Sequence, residues 1–263
     1  MPGPDSELRD SNRALNAIVS RDELRVVFQP IIHMHNGELF AYEALVRCSR
    51  YNSPPELFDN AVEAGCVGRL GRMIREIAVP ACSGVPLFLN LHPRELSDRW
   101  LVRPDDPIYF HDHELYLEIT ESVPLTHSNL CKTVLSEVCS RSGQYLVIDD
   151  LGAGYSNFKY IADLEPKVVK LDRELICGLD RNPRQRTLVT SVVRLCVDLG
   201  ALVVAEGVET GDEYSALMDT GAHFGQGYLF AKPANPMPRI SWPPPPNSRP
   251  PGSGFKTIPA PTF

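Results

Sequence analysis

The alternation of short β-rich runs with helical patterns constrains the fold of this chain more than any other feature. The β-rich runs are Leu24–Ile32, Leu39–Cys48, Pro86–His92, Glu114–Glu121, Tyr145–Gly152, Val168–Glu174, Leu202–Glu209 and His223–Phe230. Strands that alternate with helices in this way predict a (β/α)8 barrel. The first two runs are separated only by the segment HMHNGE, which is too short for a crossover helix and predicts an antiparallel hairpin. We therefore expect an α/β fold, a modified (β/α)8 TIM-type barrel with one antiparallel strand.

One helix is clearly delimited in the segment NPRQRTLVTSVVRLCVDLG. Asn182 is suited to cap its start, Pro183 to occupy its first position and Gly200 to close it. Its apolar residues recur at helical spacing, which supports the helix: Leu188, Val192, Cys196 and Leu199. A second helix is expected to begin after Pro55. Residues 1–20 are expected to form an amphipathic leader helix.

Composition excludes several classes of protein. The 263 residues are 43% hydrophobic with a net charge of −7 and no Lys/Arg-rich block, which argues against a partner that is a nucleic acid polymer. No apolar run is long enough to form a membrane segment. The N-terminus has no apolar signal region, and the seven cysteines include no C-x-x-C pair, so we expect a cytoplasmic protein with reduced thiols.

The chain is expected to divide into three parts. Residues 1–20 are the leader helix, residues 21–238 the barrel, and residues 239–263 a Pro-rich tail that is extended or disordered. Proline-rich segments of this kind also serve as ligands for partner proteins, which makes a partner for the tail an open alternative.

Polar side chains recur at the ends of the predicted strands. In a parallel barrel the carboxyl ends of the strands meet at one face, which carries the working site. Buried polar groups are costly unless they are satisfied, so such residues are candidates for a site. They are Glu43, Arg47, Asn90, Glu118, Glu121, Asp149, Asp150, Lys170, Asp172, Glu206 and Gln226.

Acidic residues outnumber basic ones in this set. The acids expected to converge on the rim are Glu43, Glu118, Asp149, Asp150 and Glu206, against Lys170 and Arg47. Carboxylate ligands together with an amide select hard divalent ions such as Mg²⁺ or Mn²⁺. Asp149 and Asp150 are adjacent, and we expect them to bridge two ions about 3.5–4 Å apart, the arrangement that hydrolyses phosphate esters.

The order of these motifs resembles that of the EAL domain family. The segments that carry the resemblance are FQPI, YEALVR, LNLHP, LEITES, DDLGAGYSN, KLDRE, AEGVET and QGY, and they extend from about Arg21 to Pro238. The resemblance implies hydrolysis of the bacterial second messenger cyclic di-GMP to linear pGpG by attack of water, with two Mg²⁺ or Mn²⁺ ions per site. It also implies a homodimer.

The resemblance assigns roles position by position. It implies that the metal ligands are Glu43, Asn90, Glu118, Asp149, Asp150 and Glu206, with Asp149 as the bridge. It implies that the catalytic group includes Lys170, which positions or helps to deprotonate the attacking water, together with Glu206 and Glu43. The implied contacts to the dinucleotide come from Gln29, Arg47 and Gln226. Glu121 is implied to anchor the loop Leu151–Asn157 rather than to bind metal.

Strand geometry also bears on the face of the strand to which Glu121 points. Glu118 and Glu121 are three residues apart on one predicted strand, and strand side chains alternate between faces. The two carboxylates are therefore expected on opposite faces as long as the strand continues.

Departures from the family pattern leave the ligands in place. The usual DDFGTGYSS reads DDLGAGYSN here, with Leu151, Ala153 and Asn157 as the differences, and the segment after Arg47 is shorter than usual.

Two alternatives remain at the level of sequence. The first is a catalytically weak or inactive EAL module that acts as a receptor for cyclic di-GMP or as a protein-interaction module. The second disregards the resemblance: Lys170 at a strand end would form the Schiff base of a barrel aldolase. EDTA would stop a phosphodiesterase and leave an aldolase unaffected.

Overall fold

Eight strands close into a barrel that is surrounded by helices, as the computed structural model of the chain shows. The structure describes residues 4–98, 100–120, 128–153 and 158–242. The strands are β1 Leu24–His33, β2 Leu39–Cys48, β3 Leu87–Asn90, β4 Leu115–Thr120, β5 Tyr145–Leu151, β6 Val168–Leu171, β7 Leu202–Ala205 and β8 Phe224–Gly225. The helices are α1 Pro4–Ile18, α2 Pro54–Glu63, α3 Val67–Ala81, α4 Ser128–Ser142, α5 Lys159–Leu164, α6 Arg173–Ile176, α7 Pro183–Asp198 and α8 Gly211–Met218.

One strand runs against the other seven. β1 pairs antiparallel with β2, from Leu24 opposite Cys48 to Ile32 opposite Leu39, and it also pairs antiparallel with β8. All the other neighbouring pairs, from β2–β3 to β7–β8, are parallel. The predicted barrel with one antiparallel strand is confirmed. The carboxyl ends of β2 to β8 therefore open at one mouth, together with the start of β1.

Pro30 lies in the middle of β1, where a proline normally removes a ladder hydrogen bond. The backbone N–H of Phe28, two residues earlier, points away from β2 and donates to the carbonyl of Ala234. The backbone nitrogen of Pro30 points to the same side of β1 as that of Phe28. Pro30 lies between the bridge of Phe28 with Ala234 and the pairing of Ile32 with Gly225 in the two-residue strand β8. No pairing strand among the described residues requires a donor there, so the proline is tolerated.

Several strands are shorter than the β-rich runs predict. β6 ends at Leu171 rather than at Glu174, and β8 contains two residues rather than eight. The side chain of Asp172 accepts a hydrogen bond from the backbone N–H of Glu174 at 2.7 Å and so starts α6. The polar residues beyond the strand ends form the loops of the mouth because their side chains bond to nearby backbone groups instead of extending the sheet.

Helix α7 begins and ends as predicted. Asn182 accepts a hydrogen bond from the N–H of Gln185 at 3.2 Å, and the N–H of Gly200 donates to Val197. Leu188 and Leu199 are 51% and 42% exposed, so only part of the apolar stripe is buried. The buried residues are Val189, Val192, Val193 and Cys196. The apolar stripe is wider than the barrel surface that it covers, and the leucines lie at its edges.

The ends of the described chain pack onto the barrel. Leu15 in α1 and Val19 after it are buried, and Arg50 donates to the carbonyl of Ile18 at 2.6 Å. At the other end, Ile240 and Trp242 pack against apolar residues that include Tyr214 and Phe230, although both lie in the segment that the sequence assigns to the tail. Residues 243–263 of that tail lie outside the described residues.

No helix among the described residues has the length and the apolar character that crossing a membrane requires.

Candidate metal centre

Lys170 is the central residue of the mouth. It lies on β6 with 1% of its side chain exposed, and its ammonium is surrounded by four carboxylates. The distances from Lys170 Nζ are 2.6 Å to Glu206 Oε1, 2.7 Å to Glu118 Oε1, 3.2 Å to Glu43 Oε2 and 3.3 Å to Asp149 Oδ1. These acids come from β2, β4, β5 and the residue after β7. The structure thus brings together side chains that are far apart in the chain.

Amide side chains hold Glu43 in place from both sides. Asn90 Nδ2, at the end of β3, donates to Glu43 Oε1 at 3.0 Å. Gln226 Nε2, just after β8, donates to Glu43 Oε2 at 2.6 Å and lies 3.4 Å from Gln29 Oε1. Gln29 in turn donates to the carbonyl of Ala231 at 3.1 Å. Glu43 therefore has little rotational freedom.

Asp149 and Asp150 face the same mouth because the strand is distorted between them. Successive side chains of a regular strand point to opposite faces. Asp150 has φ +58°, in the left-handed region, and the pairing of β5 with β6 shifts register between Ile148 and Leu151. Such a bulge re-aims a side chain, and aspartate tolerates this conformation better than most residues. The backbone strain at Asp150 thus directs two neighbouring carboxylates to one site.

The pKa values of these acids show that the single positive charge of Lys170 does not compensate all of their negative charges. Burial raises the pKa of Glu118 and of Glu206 well above the usual value. Burial and the neighbouring Asp149 charge raise the pKa of Asp150 to about 6. Burial also opposes ionisation of Glu43, but Lys170 and the two amides outweigh it and lower its pKa.

For Lys170, burial and the neighbouring charges act on the pKa in opposite directions. Burial alone would lower it, but the surrounding carboxylates, Asp149 first, raise the pKa of Lys170 well above its usual value. Lys170 is therefore a fixed cation and hydrogen-bond donor in this arrangement.

Divalent cations fit the residues at this mouth. Asp149, Asp150 and Glu206 each offer an oxygen, and these oxygens lie within 4.8 Å of one another. Among the described residues, the buried Glu118 Oε2 has no hydrogen-bond partner. An orphaned, buried carboxylate oxygen needs a positive partner. An all-oxygen donor set of this kind suits Mg²⁺ or Mn²⁺.

A cleft of about 680 Å³ opens above the acids. Arg47 lines it, with its guanidinium donating to the carbonyl of Val46 at 2.8 Å. Sequence reasoning did not single out the other side chains of the walls: Phe58, His92, Arg173, Glu209 and Tyr228. In the sequence, several of these residues can be found only by their closeness to the polar strand ends, and that requires the strand ends to be known first.

Glu121, the predicted loop anchor, lies outside the described residues, and so do residues 154–157 of the loop that it was expected to hold. The opposite facing of Glu118 and Glu121 therefore stays a prediction. The other predicted site residues line the cleft or contact the acidic cluster, except Asp172, whose side chain caps α6.

The barrel and its mouth define a protein that gathers acidic side chains into one centre at the carboxyl ends of its strands. Residues 11–233 match the EAL domain family, and the chain belongs to that family. It is 30% identical over 243 residues to the cyclic di-GMP phosphodiesterase PdeR of Escherichia coli, a match that covers 87% of this chain and 36% of PdeR. The chain spans about a third of the length of the curated relatives it matches first.

Solved structures share the fold. A manganese and cyclic di-GMP complex of Klebsiella pneumoniae BlrP1 superposes with a TM-score of 0.70 at 30% identity, covering 81% of this chain and 56% of that one. A c-di-GMP complex of the PaMucR phosphodiesterase superposes with a TM-score of 0.72 at 26% identity, covering 86% of this chain and 96% of that one.

Proposed function

We propose that this chain hydrolyses cyclic di-GMP to linear pGpG with two divalent cations, Mg²⁺ or Mn²⁺. The observation that carries the proposal is the excess of buried carboxylates around a single ammonium, at the floor of a cleft of about 680 Å³. A cleft of this size suits a small ligand. The relationship to cyclic di-GMP phosphodiesterases at about 30% identity supports the choice of substrate.

The ions would be held by oxygen ligands from six side chains. We assign them to Glu43, Asn90, Glu118, Asp149, Asp150 and Glu206, with Asp149 between the two positions. Bound divalent ions supply charge neutralisation for the phosphodiester and lower the pKa of water toward neutrality.

The chain's own residues supply orientation. Lys170, held as a cation by the acids, donates hydrogen bonds and orients the attacking water; its raised pKa favours this role over proton acceptance. Glu43 is fixed by Asn90 and Gln226, so its carboxylate is preorganised. Glu206 lies against Lys170 and the paired aspartates. Preorganised groups avoid reorganisation during the reaction.

The substrate would be held by Gln29, Arg47 and Gln226. A guanidinium is suited to clamp a phosphate with two parallel hydrogen bonds. Gln29 and Gln226 are linked to each other and to Glu43, so a dinucleotide that contacts them is also placed relative to the metal ligands.

The remaining assignments belong to the same proposal. They are the catalytic unit 21–238, the leader 1–20, the tail 239–263, a homodimer, a cytoplasmic location and the anchoring of the loop by Glu121.

The test is incubation of the purified chain with cyclic di-GMP and Mg²⁺ or Mn²⁺, followed by chromatography for pGpG. Product formation that EDTA abolishes and added Mn²⁺ restores is the expected result. Binding of cyclic di-GMP without pGpG would show a receptor instead and would overturn the proposal.

A further inference from the structure

The wall of the cleft beside Asn90 carries two stacked rings. The rings of Phe58 in α2 and His92 after β3 lie 5.7 Å apart between centroids, with an angle of 10° between their planes. Both side chains line the cleft, and Pro54, Pro55 and Pro93 surround them. Nearly parallel, offset rings of this kind leave a flat face on which a third ring can continue the stack.

The imidazole of His92 is fixed in orientation. Its Nδ1 accepts a hydrogen bond from the backbone N–H of Arg94 at 3.2 Å, which leaves the ring proton on Nε2. The ring therefore presents an aromatic surface with one N–H donor at its edge.

A buried ionic network holds the turn that carries His92. Glu95 accepts from the backbone N–H of His92 at 3.1 Å and pairs with Arg75 at 2.7 Å. Arg75 also pairs with Asp106 at 3.0 Å, and all three charged side chains are at most 1% exposed. A side chain at Gly71 would overlap the carboxylate of Glu95, so this glycine leaves room for the network. The wall is thus rigid before any ligand arrives.

The wall lies within reach of the acidic centre. His92 follows Asn90 by two residues, and the backbone N–H of the intervening Leu91 still bonds to the carbonyl of Glu118. Two residues of extended chain span about 6–7 Å. This is the scale of the distance between a phosphate and the base of the same nucleotide.

We propose that Phe58 and His92 form a stacking wall for one guanine base of the dinucleotide, with His92 Nε2–H donating to the base edge. This assignment rests on the proposed function and names how that same site recognises its substrate. Stacking of a base on an aromatic side chain is sequence-tolerant, whereas the donor favours the acceptor-rich edge of guanine over adenine.

The experiment compares two substrates. Values of kcat/KM are measured in the presence of Mn²⁺ with cyclic di-GMP and with its abasic analogue, a cyclic diribosyl phosphate that keeps both phosphodiesters but carries no aromatic ring. Phe58→Leu and His92→Ala are expected to lower the ratio of the two values at least about tenfold through a higher KM for cyclic di-GMP. Phe110→Leu is the matched control, since Phe110 is 71% exposed and does not line the cleft, and its ratio should equal that of the wild type.

Each other outcome is decisive. An unchanged ratio in both variants, or equal losses on both substrates, would overturn the stacking wall. Titration of cyclic di-GMP by calorimetry in Ca²⁺ separates the two proposals. A wild type that binds cyclic di-GMP but does not hydrolyse it refutes the proposed function, and the Kd of the two variants then decides the wall alone. Melting temperatures show whether Phe58→Leu is folded, and His92→Ala provides a second, independent variant.

Discussion

Lys170 Nζ lies 2.6 Å from Glu206 Oε1, and the same ammonium is the counter-charge for Glu43, Glu118 and Asp149. A single cation thus holds together four acids that would otherwise repel one another. Burial and the same crowding raise the pKa of Glu118 and of Glu206 and favour a further positive partner for the acids.

Replacement of Lys170 by methionine should destabilise the metal-free protein. Removing one partner from a buried ionic cluster costs roughly 3–5 kcal/mol, because the remaining charges lose their compensation. In EDTA the variant should melt well below the wild type, and Mn²⁺ should raise its melting temperature. Lys159→Met is the control, since the side chain of Lys159 is 73% exposed. Equal melting of Lys170→Met and wild type in EDTA would contradict the role of Lys170 as counter-charge.

Glu43→Ala should lose at least about 10²-fold in the rate of cyclic di-GMP hydrolysis while the fold is retained. The variant loses a proposed metal ligand, and metals lower such barriers by several kcal/mol. Steady-state rates and circular dichroism check the two parts. Glu114→Ala, at an exposed position away from the cleft, should behave like the wild type. Turnover of Glu43→Ala at the wild-type rate would remove Glu43 from the ligand set.

Asp150 combines a strained backbone with a proposed ligand, and two substitutions separate these properties. At φ +58° a residue with a Cβ is strained, and glycine is not. Glycine is therefore expected to be more stable than alanine at this position by about 1 kcal/mol. Asp150→Gly should therefore be more stable than Asp150→Ala, whereas both should bind Mn²⁺ more weakly than the wild type.

Glu165 provides the matched pair for this comparison, since it has φ +46° and lies outside the acidic centre. Glu165→Gly and Glu165→Ala should show the same order of stability without any change in Mn²⁺ affinity. A loss of Mn²⁺ affinity in the Glu165 variants, or none in the Asp150 variants, would contradict the assignment.

The pH dependence of stability should reveal the raised pKa of Asp150, which is about 6 in the folded chain against an ordinary 3.8. Between these values the folded state binds the proton more tightly than the unfolded state, so this contribution to stability falls as pH rises through 6. In EDTA, Asp150→Asn should gain in melting temperature relative to the wild type from pH 5 to pH 7. A constant difference across this range would show that the carboxyl is not perturbed.

Trp242 should contribute measurably to stability. Its ring contacts Tyr214 and Phe230 and covers Gly37, where a side chain would overlap the indole. Trp242→Ala should lower the free energy of unfolding by about 1–2 kcal/mol, or roughly 2–8 °C in melting temperature. Phe110→Ala, at an exposed position, should change neither. Deletion from Ser241 onward also removes Trp242 and should therefore have the same effect as Trp242→Ala.

The sequence predicted the barrel because its signals are local. The five-residue connection between β1 and β2 is too short for a crossover helix, and Asn182, Pro183 and Gly200 are residue types that helix ends favour. The acidic residues around Lys170 were also picked out from the sequence, since each lies within or directly after an apolar, β-rich run.

Other features depend on tertiary contacts and could not be predicted. The left-handed backbone of Asp150 arises from the register shift between β5 and β6, which no property of an Asp-Asp pair indicates. Leu188 looks like a core residue by spacing but lies beyond the surface that α7 covers. The stack of Phe58 on His92 joins residues from two elements that only the folded chain brings together.

The two-residue strand β8 gives the barrel a seam that the following chain closes. Ala234 bridges to Phe28, Asn235 donates to the carbonyl of Val26 at 3.0 Å, and Trp242 covers the hairpin at Gly37. Mechanical tension on the chain beyond Trp242 would therefore act on these three contacts before it reached any other strand. The next residue along this edge is Gln226, which donates to Gln29 and to Glu43. Gln226 directly follows β8 and donates to Glu43, so a displacement of β8 would be felt next at the acidic centre.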